Sequence, residues 1–419
     1  MCNCDTNLSF EDISKICYDK FDLLPKTGKP SANQWTVLSC VVEHNRQTRD
    51  SRVVALGCGT KCIGYTRHCP KGFMLNDSHA EVLARRAFLR YLYHELDHDR
   101  IFHWDAKHRY FELSEHVEYH FFSTQTPCGD ACIVDESVAM GLEKSAKRPR
   151  LDVNSEMVYT GGKLIAGQLP GAITDDMEQT PGALRTKPGR GVRTLSMSCS
   201  DKLARWCVLG VQGALIDSLV SKPIYFSSLN FSCPEAHQVS VERAIYKRWQ
   251  GRSSKHTRFQ PQQPQIRIDA SLTFKYSQRG DRQPSPNGLV WSQLPDDLRY
   301  VLIFMLLKVI SPLFAYRPYE ISVNGKRQGV TKKKLESAQA ALAVSKFKLF
   351  QTFLNLLQSH AELRAKFQRD DSDLEHMTYA FCKDLCEDYQ QAWRQLKEEY
   401  FQQWTCKPKG LLDFTSKSE

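Results

Sequence analysis

The sequence has no long hydrophobic run. Its longest apolar stretch is Val301–Leu307, far short of the ~20 residues that a membrane-spanning helix needs. No apolar segment of the signal-peptide type follows Met1–Asp5, and no internal repeat is evident. We therefore expect an intracellular protein, in the cytoplasm, the nucleus or both, with no membrane association and no obligate protein partner.

Regular cysteine spacing and a nucleotide-binding loop are also missing. The 15 cysteines are odd in number and irregularly placed, which predicts free or metal-bound thiols in a reducing compartment. Residues 57–61, Gly-Cys-Gly-Thr-Lys, lack the spacing of a phosphate-binding loop and are better explained as a turn that ends a strand.

The net charge of +10 is compatible with RNA binding through phosphate contacts, although many proteins that bind no nucleic acid are equally basic.

Three short motifs carry residues suited to metal chemistry: His79-Ala80-Glu81, Pro127-Cys128 and Ser198-Cys199-Ser200. One histidine, two cysteines and a glutamate that is not a ligand are the components of zinc-dependent nucleobase deaminases. Such a site keeps the fourth zinc position for water, and the glutamate carries a proton from that water to the leaving nitrogen. The motifs therefore predict a hydrolytic deaminase, with Glu81 as the proton shuttle.

The local sequence indicates how these side chains converge. His79 and Glu81 can point to one site only where a helix begins, because residues two apart lie on different faces of a helix. Asn76-Asp77-Ser78 are residue types that cap helices, so we predict the N-cap there. Pro127 suits a first helical turn, so Cys128 is predicted at a helix N-terminus that lowers its thiol pKa.

The second cysteine ligand is ambiguous from spacing. The general signature is Pro-Cys-x-x-Cys, whereas here the next cysteine, Cys132, is one residue too far. On a helix, Cys128 and Cys132 would still share a face. Cys199 is the competing candidate, and spacing alone does not decide between Cys132 and Cys199.

Hydrophobic periodicity predicts strands alternating with helices, and hence a layered α/β sheet. Predicted strands are Leu38–Val42, Val53–Leu56 and Tyr119–Thr124, and predicted helices are Glu81–Leu96, Asp296–Ile310 and Lys334–Leu357. Residues 143–156 are polar and basic and are predicted to be a disordered surface insertion, with a nuclear-import signal as the alternative. Residues 253–265 are rich in Gln and Pro and are predicted to form a loop.

Three longer motifs resemble the adenosine deaminases that act on RNA: Leu75–Glu81, Pro127–Ala131 and Met197–Trp206. The resemblance extends from about residue 50 to about residue 408. It implies a three-layer α/β/α deaminase fold with a central mixed sheet and a helical C-terminal half that closes the core, in one domain over residues 1–419. It also implies that His79, Cys128 and Cys199 bind zinc, with Glu81 catalytic and Cys132 structural.

Residues 184–191 are similar to the tRNA branch of this family. The editors of double-stranded RNA have a longer loop here, with a glutamate where Arg190 aligns. The resemblance thus implies deamination of adenosine to inosine in tRNA, at position 37 of an alanine tRNA, with Thr60, Lys61 and Arg190 as substrate contacts. The alternatives are an editor of double-stranded RNA and a non-catalytic RNA-binding zinc protein.

Several cations lie next to the predicted metal ligands: Arg85 and Arg86 follow His79, and Lys202 and Arg205 follow Cys199. Buried, unpaired charge is costly, so these cations require an anion. The family resemblance implies buried inositol hexakisphosphate, bound by residues that match Asn76, Arg85, Arg86, Ser196, Lys202, Arg205, Trp206, Lys383, Tyr389, Gln390, Trp404 and Lys407. It also implies a link from this ligand to the metal through Asp77 and Lys187. Ala214, Trp393 and Cys406 depart from the family pattern.

Overall fold

The computed structural model describes residues 8–133, 164–166, 181–188, 193–249, 258–294, 318–368 and 374–417. The strands are β1 Gln34–Trp35, β2 Leu38–Asn45, β3 Ser51–Cys58, β4 Thr60–Cys62, β5 Asp77–His79, β6 Phe102–Asp105, β7 Tyr110–Leu113, β8 Val117–Ser123, β9 Leu164–Ile165, β10 Arg185–Thr186, β11 Ser228–Phe231, β12 Gln265–Ile268, β13 Gln283–Pro284, β14 Asn287–Ser292, β15 Tyr319–Val323 and β16 Lys326–Arg327.

The α-helices of the described residues are α1 Phe10–Leu23, α2 Ala80–Leu96, α3 Cys199–Leu209, α4 Ala214–Asp217, α5 Gln238–Ile245, α6 Lys346–Ser359, α7 Ala361–Phe367, α8 Tyr379–Asp384 and α9 Glu387–Glu399. None of them combines the length and the apolar character that crossing a membrane requires. The predicted insertion at 143–156 and the predicted helix Asp296–Ile310 lie outside the described residues.

Eight strands form the central sheet, in the order β12-β11-β8-β2-β3-β14-β15-β16. β8, β11 and β12 are parallel to one another, whereas the other neighbouring pairs are antiparallel. The predicted mixed sheet is therefore confirmed. The three predicted strands correspond to β2, β3 and β8, each longer at one or both ends than the sequence pattern indicated.

Helices cover both faces of the sheet, as the predicted three layers require. Successive residues of a strand point to opposite faces, and on β2 Val41 belongs to one apolar core while Val42 belongs to the other. The larger core holds Phe88 of α2, and the smaller one holds Phe21 of α1. Helix α2, which carries the candidate catalytic glutamate, is thus packed directly against the middle of the sheet.

The C-terminal helices complete the larger core. Phe353 of α6, Tyr389 and Leu396 of α9, and Phe414 near the end of the chain all belong to the same buried cluster as Phe88. Helix α9 also contacts α3 and α4. The C-terminal helices therefore pack around the element that carries Cys199.

The predicted helix Lys334–Leu357 is wrong in its first half. Helix α6 begins only at Lys346, and the residues before it include two short 3-10 turns, Lys332–Lys334 and Ala338–Ala340. Two serines interrupt the helical pattern: Ser337 accepts a hydrogen bond from the amide of Gln339, and Ser345 accepts one from the amide of Lys348. Serine side chains that bond to nearby amides favour helix starts and turns over helix interiors.

Candidate active site

His79, the candidate zinc-binding histidine, lies at the junction of a strand and a helix. β4 and β5 pair in antiparallel fashion, with Thr60 opposite His79 and Cys62 opposite Asp77. His79 is the last residue of β5 and the N-cap of α2, and Glu81 lies in the first turn of that helix. The predicted position of His79 and Glu81 at a helix start is thus confirmed.

The predicted N-cap at residues 76–78 is wrong, because Asp77 and Ser78 belong to β5. The His79 side chain makes no capping bond. Instead, the Asp77 carboxylate accepts a hydrogen bond of 3.0 Å from the His79 amide. Asp77 therefore positions the backbone of the histidine ligand rather than the first helical turn.

Gly57 of β3 allows α2 to approach the sheet closely. A Cβ atom at this position would lie 2.4 Å from the amide nitrogen of Ala84 and 2.6 Å from the carbonyl oxygen of Ala80. Real Cβ atoms do not come so close to backbone atoms. The absence of a side chain at Gly57 thus sets the position of the turn that carries Glu81.

Cys128 lies in a loop that is fastened to the start of α3. Gly129 has φ 107°, a conformation that favours glycine, and it is followed by a 3-10 turn, Asp130–Cys132. The hydroxyl of Ser200 donates to the carbonyl of Pro127 at 2.9 Å, and the amide of Ser200 donates to the carbonyl of Cys128 at 3.0 Å. The prediction of an α-helix N-terminus at Cys128 is therefore wrong.

The three predicted ligands converge. One ligand atom from each of His79, Cys128 and Cys199 lies within 4.8 Å of the others. Each sulfur is 3.8 Å from Nδ1 of His79, and the amide of Cys199 points at the sulfur of Cys128 at 3.4 Å. The thiol of Cys132 instead donates to the carbonyl of Pro127 at 3.4 Å, so the structure selects Cys199 over Cys132.

This arrangement fits a zinc site of the catalytic type. Three protein ligands of imidazole and thiolate character leave a fourth position for water. Within the described residues, His79, Cys128 and Cys199 are the one such group of potential ligands. Glu81 is 4 % exposed and lies close enough to Cys199 for its charge to act on that thiol.

The thiols differ in electrostatic character. The Cys199 side chain, through a hydrogen bond, together with Lys187 and His79 holds the pKa of Cys128 well below its usual range despite burial. Burial, Cys128 and Glu81 raise the pKa of Cys199. Lys187, whose Nζ lies 3.0 Å from the Cys199 sulfur, opposes this rise. A bound dication would convert both thiols to thiolates.

Asp77 and Lys187 form the predicted link beside the metal ligands. Nζ of Lys187 lies 2.9 Å from one oxygen of Asp77, and Lys202 pairs with the same oxygen. Burial favours a neutral Asp77, but the two ammonium groups hold its pKa well below the usual range. Burial likewise favours a neutral amine at Lys187, yet Asp77 and Cys199 raise the pKa of Lys187 well above normal. The ion pair is therefore charged at neutral pH.

A group of cations lies close enough together for their charges to act on one another, and one of them pairs with Asp77. Its members are Arg85, Arg86, Lys202, Arg205, Lys346, Lys383 and Lys407, and the name "cation cluster" refers to these seven residues. In the described part of the chain, no carboxylate lies within ion-pair distance of any of them except Asp77, which pairs with Lys202. Burial and the neighbouring cations lower the pKa of Lys407 to about 8.

Aromatic rings and backbone carbonyls hold some of these cations. The guanidinium of Arg85 lies 5.3 Å from the ring of Trp206, and its Nε donates to the carbonyl of Val211. Arg205 stacks 3.8 Å over Trp393 and 5.6 Å from Trp404, and it donates to the hydroxyl of Tyr389. Trp393, where the family pattern has a lysine, thus supports a neighbouring cation.

Several polar atoms around the cluster are buried and have no partner within the described residues. They are Nη2 of Arg86, Nε of Arg205 and both ring nitrogens of His68. Burial, Lys407 and Lys346 lower the pKa of His68 to about 4. Unsatisfied buried donors next to uncompensated cations are typical of a site shaped for an anion.

The remaining predicted residues lie in several settings. Asn76 accepts a hydrogen bond from the amide of Ile63 at its carbonyl, and Ser196 accepts one from the amide of Lys187 in the same way. The side-chain amide of Gln390 donates to the carbonyl of Lys383 at 2.9 Å. Thr60 lies beside His79, and its buried hydroxyl has no partner in the described structure. Lys61 lies opposite Ser78, and Arg190 lies outside the described residues.

Lys346 and His68 were missed by the sequence analysis. Lys346 is the first residue of α6, and burial together with Lys407, Arg86 and Lys383 lowers its pKa well below the usual value. Its local sequence, Ser-Lys-Phe-Lys, is that of any amphipathic helix start. No local signal distinguishes either residue from a surface cation or a surface histidine.

Comparison with known proteins agrees with this geometry. Residues 55–304 and 315–408 match the family described as "Adenosine-deaminase (editase) domain". The chain is 60 % identical over 409 residues to tRNA-specific adenosine deaminase 1 of Drosophila melanogaster, covering 97 % of each protein. It is 31 % identical to the Homo sapiens protein of the same name, covering 96 % of this chain and 99 % of that protein. The match to double-stranded RNA-specific editase Adar of Drosophila melanogaster, 30 % identical, covers 52 % of this chain and 32 % of that protein.

Proposed function

Because the chain belongs to the adenosine-deaminase (editase) family, we propose that it hydrolytically deaminates adenosine to inosine in tRNA. The observation that carries this proposal is the convergence of His79, Cys128 and Cys199 within 4.8 Å. Relatives that match along nearly their whole length are tRNA-specific deaminases, whereas the double-stranded RNA editase matches over 32 % of its length. The finer proposal is that the target is position 37 of an alanine tRNA.

Each side chain has a distinct part in the reaction. Zinc bound by His79, Cys128 and Cys199 would supply a water that is acidic near neutral pH. Glu81, which is buried beside Cys199, accepts a proton from the attacking water and delivers one to the departing amine. Water adds oxygen at the ring carbon and the amino group leaves as ammonia, so adenosine and water give inosine and ammonia. Asp77 and Lys187 hold His79 and Cys199 in place.

The test compares two RNA substrates and two glutamate variants. Purified protein is incubated with whole tRNA and with long duplex RNA, and inosine is measured in each. We expect inosine in tRNA, loss of turnover in Glu81→Gln with zinc retained, and full activity in Glu112→Gln, whose side chain is exposed on β7. Inosine in duplex RNA alone would replace the tRNA proposal with the editor alternative. Absence of inosine in every RNA would favour a non-catalytic RNA-binding zinc protein.

The cation cluster supports a second proposal, that the protein binds inositol hexakisphosphate. Six phosphate groups would pair with the cations and fill the unsatisfied donors of Arg86, Arg205 and His68. We assign to this site the twelve residues named from the sequence, together with Lys346 and His68. Asp77 and Lys187 would then connect the polyanion to the metal ligands, since Lys202 contacts Asp77 and Lys187 contacts Cys199.

The composition of purified protein tests both ligands together. We expect one zinc ion and six phosphate groups per chain, with inositol hexakisphosphate recovered from denatured protein by mass spectrometry. Lys407→Met, which removes a half-buried cation of the cluster, should lower the phosphate content or the yield of soluble protein. Lys222→Met, at an exposed position, is the matched control. Soluble, active protein that lacks phosphate would overturn the polyanion proposal and leave the deaminase proposal intact.

Two broader properties follow as proposals. Residues 1–419 form a single deaminase domain, supported by the larger apolar core, which includes residues from Val41 to Phe414. The protein acts in the cytoplasm, the nucleus or both. The support for such a reducing compartment is that the 13 described cysteines are all free thiols.

A further inference from the structure

The turn at Tyr65 follows the strand that pairs beside His79. β4 pairs with β5 so that Thr60 is opposite His79, and the 3-10 turn Tyr65–Arg67 follows three residues after Cys62. The amide of Tyr65 donates to the carbonyl of Arg193 at 2.9 Å. Arg193 comes directly after the segment that includes Arg190. The turn is therefore linked through β4 to the strand that ends at His79, and through its own backbone to Arg193.

The backbone of this turn is fixed while its side chains face solvent. The amide of Arg67 donates to the carbonyl of Gly64 at 3.1 Å, and the amide of His68 donates to the carbonyl of Tyr65 at 3.2 Å. Tyr65 is 52 % exposed, and Arg67 is also exposed. Among the described residues, Tyr65 is one of three large hydrophobic side chains that remain exposed, with Leu23 on α1 and Phe381 on α8.

The two ends of the turn, at Ile63 and at His68, have different neighbours. His68 has both ring nitrogens buried, and Lys346 and Lys407 are near enough to act on its charge. Ile63, at the start of the turn, donates to the carbonyl of Asn76 at 2.9 Å. The turn is thus bonded at one end to Asn76, directly before β5, and lies at its other end near Lys346 and Lys407 of the cation cluster.

We propose that Tyr65 stacks on an unpaired base next to the target adenosine, with Arg67 contacting an adjacent phosphate. Single-stranded loops are recognised by aromatic side chains on which splayed bases stack, together with basic residues that follow the backbone. An exposed aromatic ring and an exposed arginine on one turn, a few residues after the strand that pairs beside His79, fit that partner. This inference rests on the proposed RNA substrate. It assigns to Tyr65 a positioning role that lies outside the metal site and the polyanion site.

Binding measurements on an inactive background isolate this contact from catalysis. In Glu81→Gln protein, which cannot turn over, we expect Tyr65→Ala to weaken the Kd for whole tRNA by about 5-fold to 100-fold. Tyr65→Phe keeps the ring and should stay within about 2-fold of the parent, because base stacking on an aromatic face needs no hydroxyl group. Phe381→Ala removes an exposed aromatic on α8 and should leave the Kd unchanged.

An RNA change locates the partner base. Abasic substitutions are made in turn at each of the three positions on either side of the target adenosine. If Tyr65 stacks on one of those bases, removing that base weakens RNA binding to the Glu81→Gln parent. Removing the same base does not weaken RNA binding to the Tyr65→Ala variant, because that variant has already lost the contact. With active protein, Tyr65→Ala should raise KM while kcat changes little, and its zinc content and Tm should match the wild type.

The outcomes separate this inference from the function on which it rests. An unchanged Kd in Tyr65→Ala, or equal abasic penalties in both proteins at every position, would overturn the stacking role. A fall in Tm or zinc content in Tyr65→Ala would also overturn it, by assigning the residue a structural role. Failure of the wild-type protein to form inosine in any RNA would instead contradict the proposed function.

Discussion

Lys187 carries a buried positive charge between a metal-ligand thiol and a carboxylate. Its side chain is fully buried, 3.0 Å from the sulfur of Cys199 and 2.9 Å from Asp77. Removing one partner of a buried pair leaves an uncompensated charge, which costs about 3–5 kcal/mol. Lys187 is therefore important for stability as well as for the geometry of the metal site.

A double-mutant cycle tests this role. At saturating zinc we expect Lys187→Met and Asp77→Asn each to lower the free energy of unfolding by about 3–5 kcal/mol. The double variant should lose clearly less free energy of unfolding than the two single variants lose together, because neither Asp77 nor Lys187 is left as an unpaired charge. Urea unfolding measures all four proteins. The control Lys222→Met, at an exposed site, should stay within about 0.5 kcal/mol of the wild type. Additive losses in the cycle would mean that the two residues act independently.

At the residue scale, chemistry that depends on residue type was predictable and chemistry that depends on three-dimensional proximity was not. His79, Glu81, Cys128 and Cys199 belong to motifs whose residue types together indicate a zinc-dependent deaminase site. The choice of Cys199 over Cys132 came from family resemblance, since spacing left it open, and the geometry supports it. Lys346 joins the cation cluster because α6 packs beside α2, and no local pattern encodes that contact.

At the scale of elements, the contact between β3 and α2 determines where Glu81, the proposed proton shuttle, lies. Gly57 gives α2 room to lie on the sheet, with backbone atoms of Ala80 and Ala84 less than 3 Å from where a Cβ would be. Any side chain here must push the first turns of α2 away from β3. That turn contains Glu81 and follows His79 directly.

We expect Gly57→Ala to reduce zinc content and deaminase activity more than tenfold and to lower the Tm by several degrees. The physical reason is that backbone atoms, unlike flexible side chains, cannot move aside without shifting the whole helix. Zinc analysis, an inosine assay and calorimetry measure the three effects. The matched control is Gly410→Ala, where an added Cβ meets nothing within 4 Å and φ is not positive. Wild-type behaviour of Gly57→Ala would show that α2 can shift without disturbing the site.

Element types were predicted better than element boundaries. β2, β3, β8 and α2 were identified from periodicity, because their buried faces repeat regularly. The predictions for the start of α6 and for the turn after Cys128 were wrong. Capping serines determine where α6 begins, and a glycine with φ 107° determines the conformation after Cys128. Such local hydrogen bonds compete with helix formation, and the hydrophobic periodicity of the sequence does not reveal them.

At the scale of the whole molecule, the C-terminal helices belong to the core that supports the active site. Tyr389, Leu396 and Phe401 are buried with Phe88 and Leu203. Lys383 and Lys407 contribute to the cation cluster. A chain without this region would expose a large apolar surface and lose much of the proposed polyanion site.

A chain that ends before Lys383 should therefore be insoluble or form soluble aggregates, with no bound zinc in either case. Expression, size-exclusion chromatography and zinc analysis of residues 1–382 provide the measurement. A chain that ends at Lys417 is the control and should behave like the full-length protein. A soluble, monomeric, zinc-loaded fragment that ends near residue 250 would instead indicate an independent catalytic domain.

The strand order of the central sheet has a consequence for synthesis on the ribosome. β3 is followed in the sheet by β14 and β15, which come more than 200 residues later in the chain. Until those strands emerge, β3 presents an unpaired edge, and unpaired edges recruit other strands. All three metal ligands are translated before this edge is covered. We therefore expect the nascent chain to need chaperone protection at β3 and to acquire its metal stably only after release.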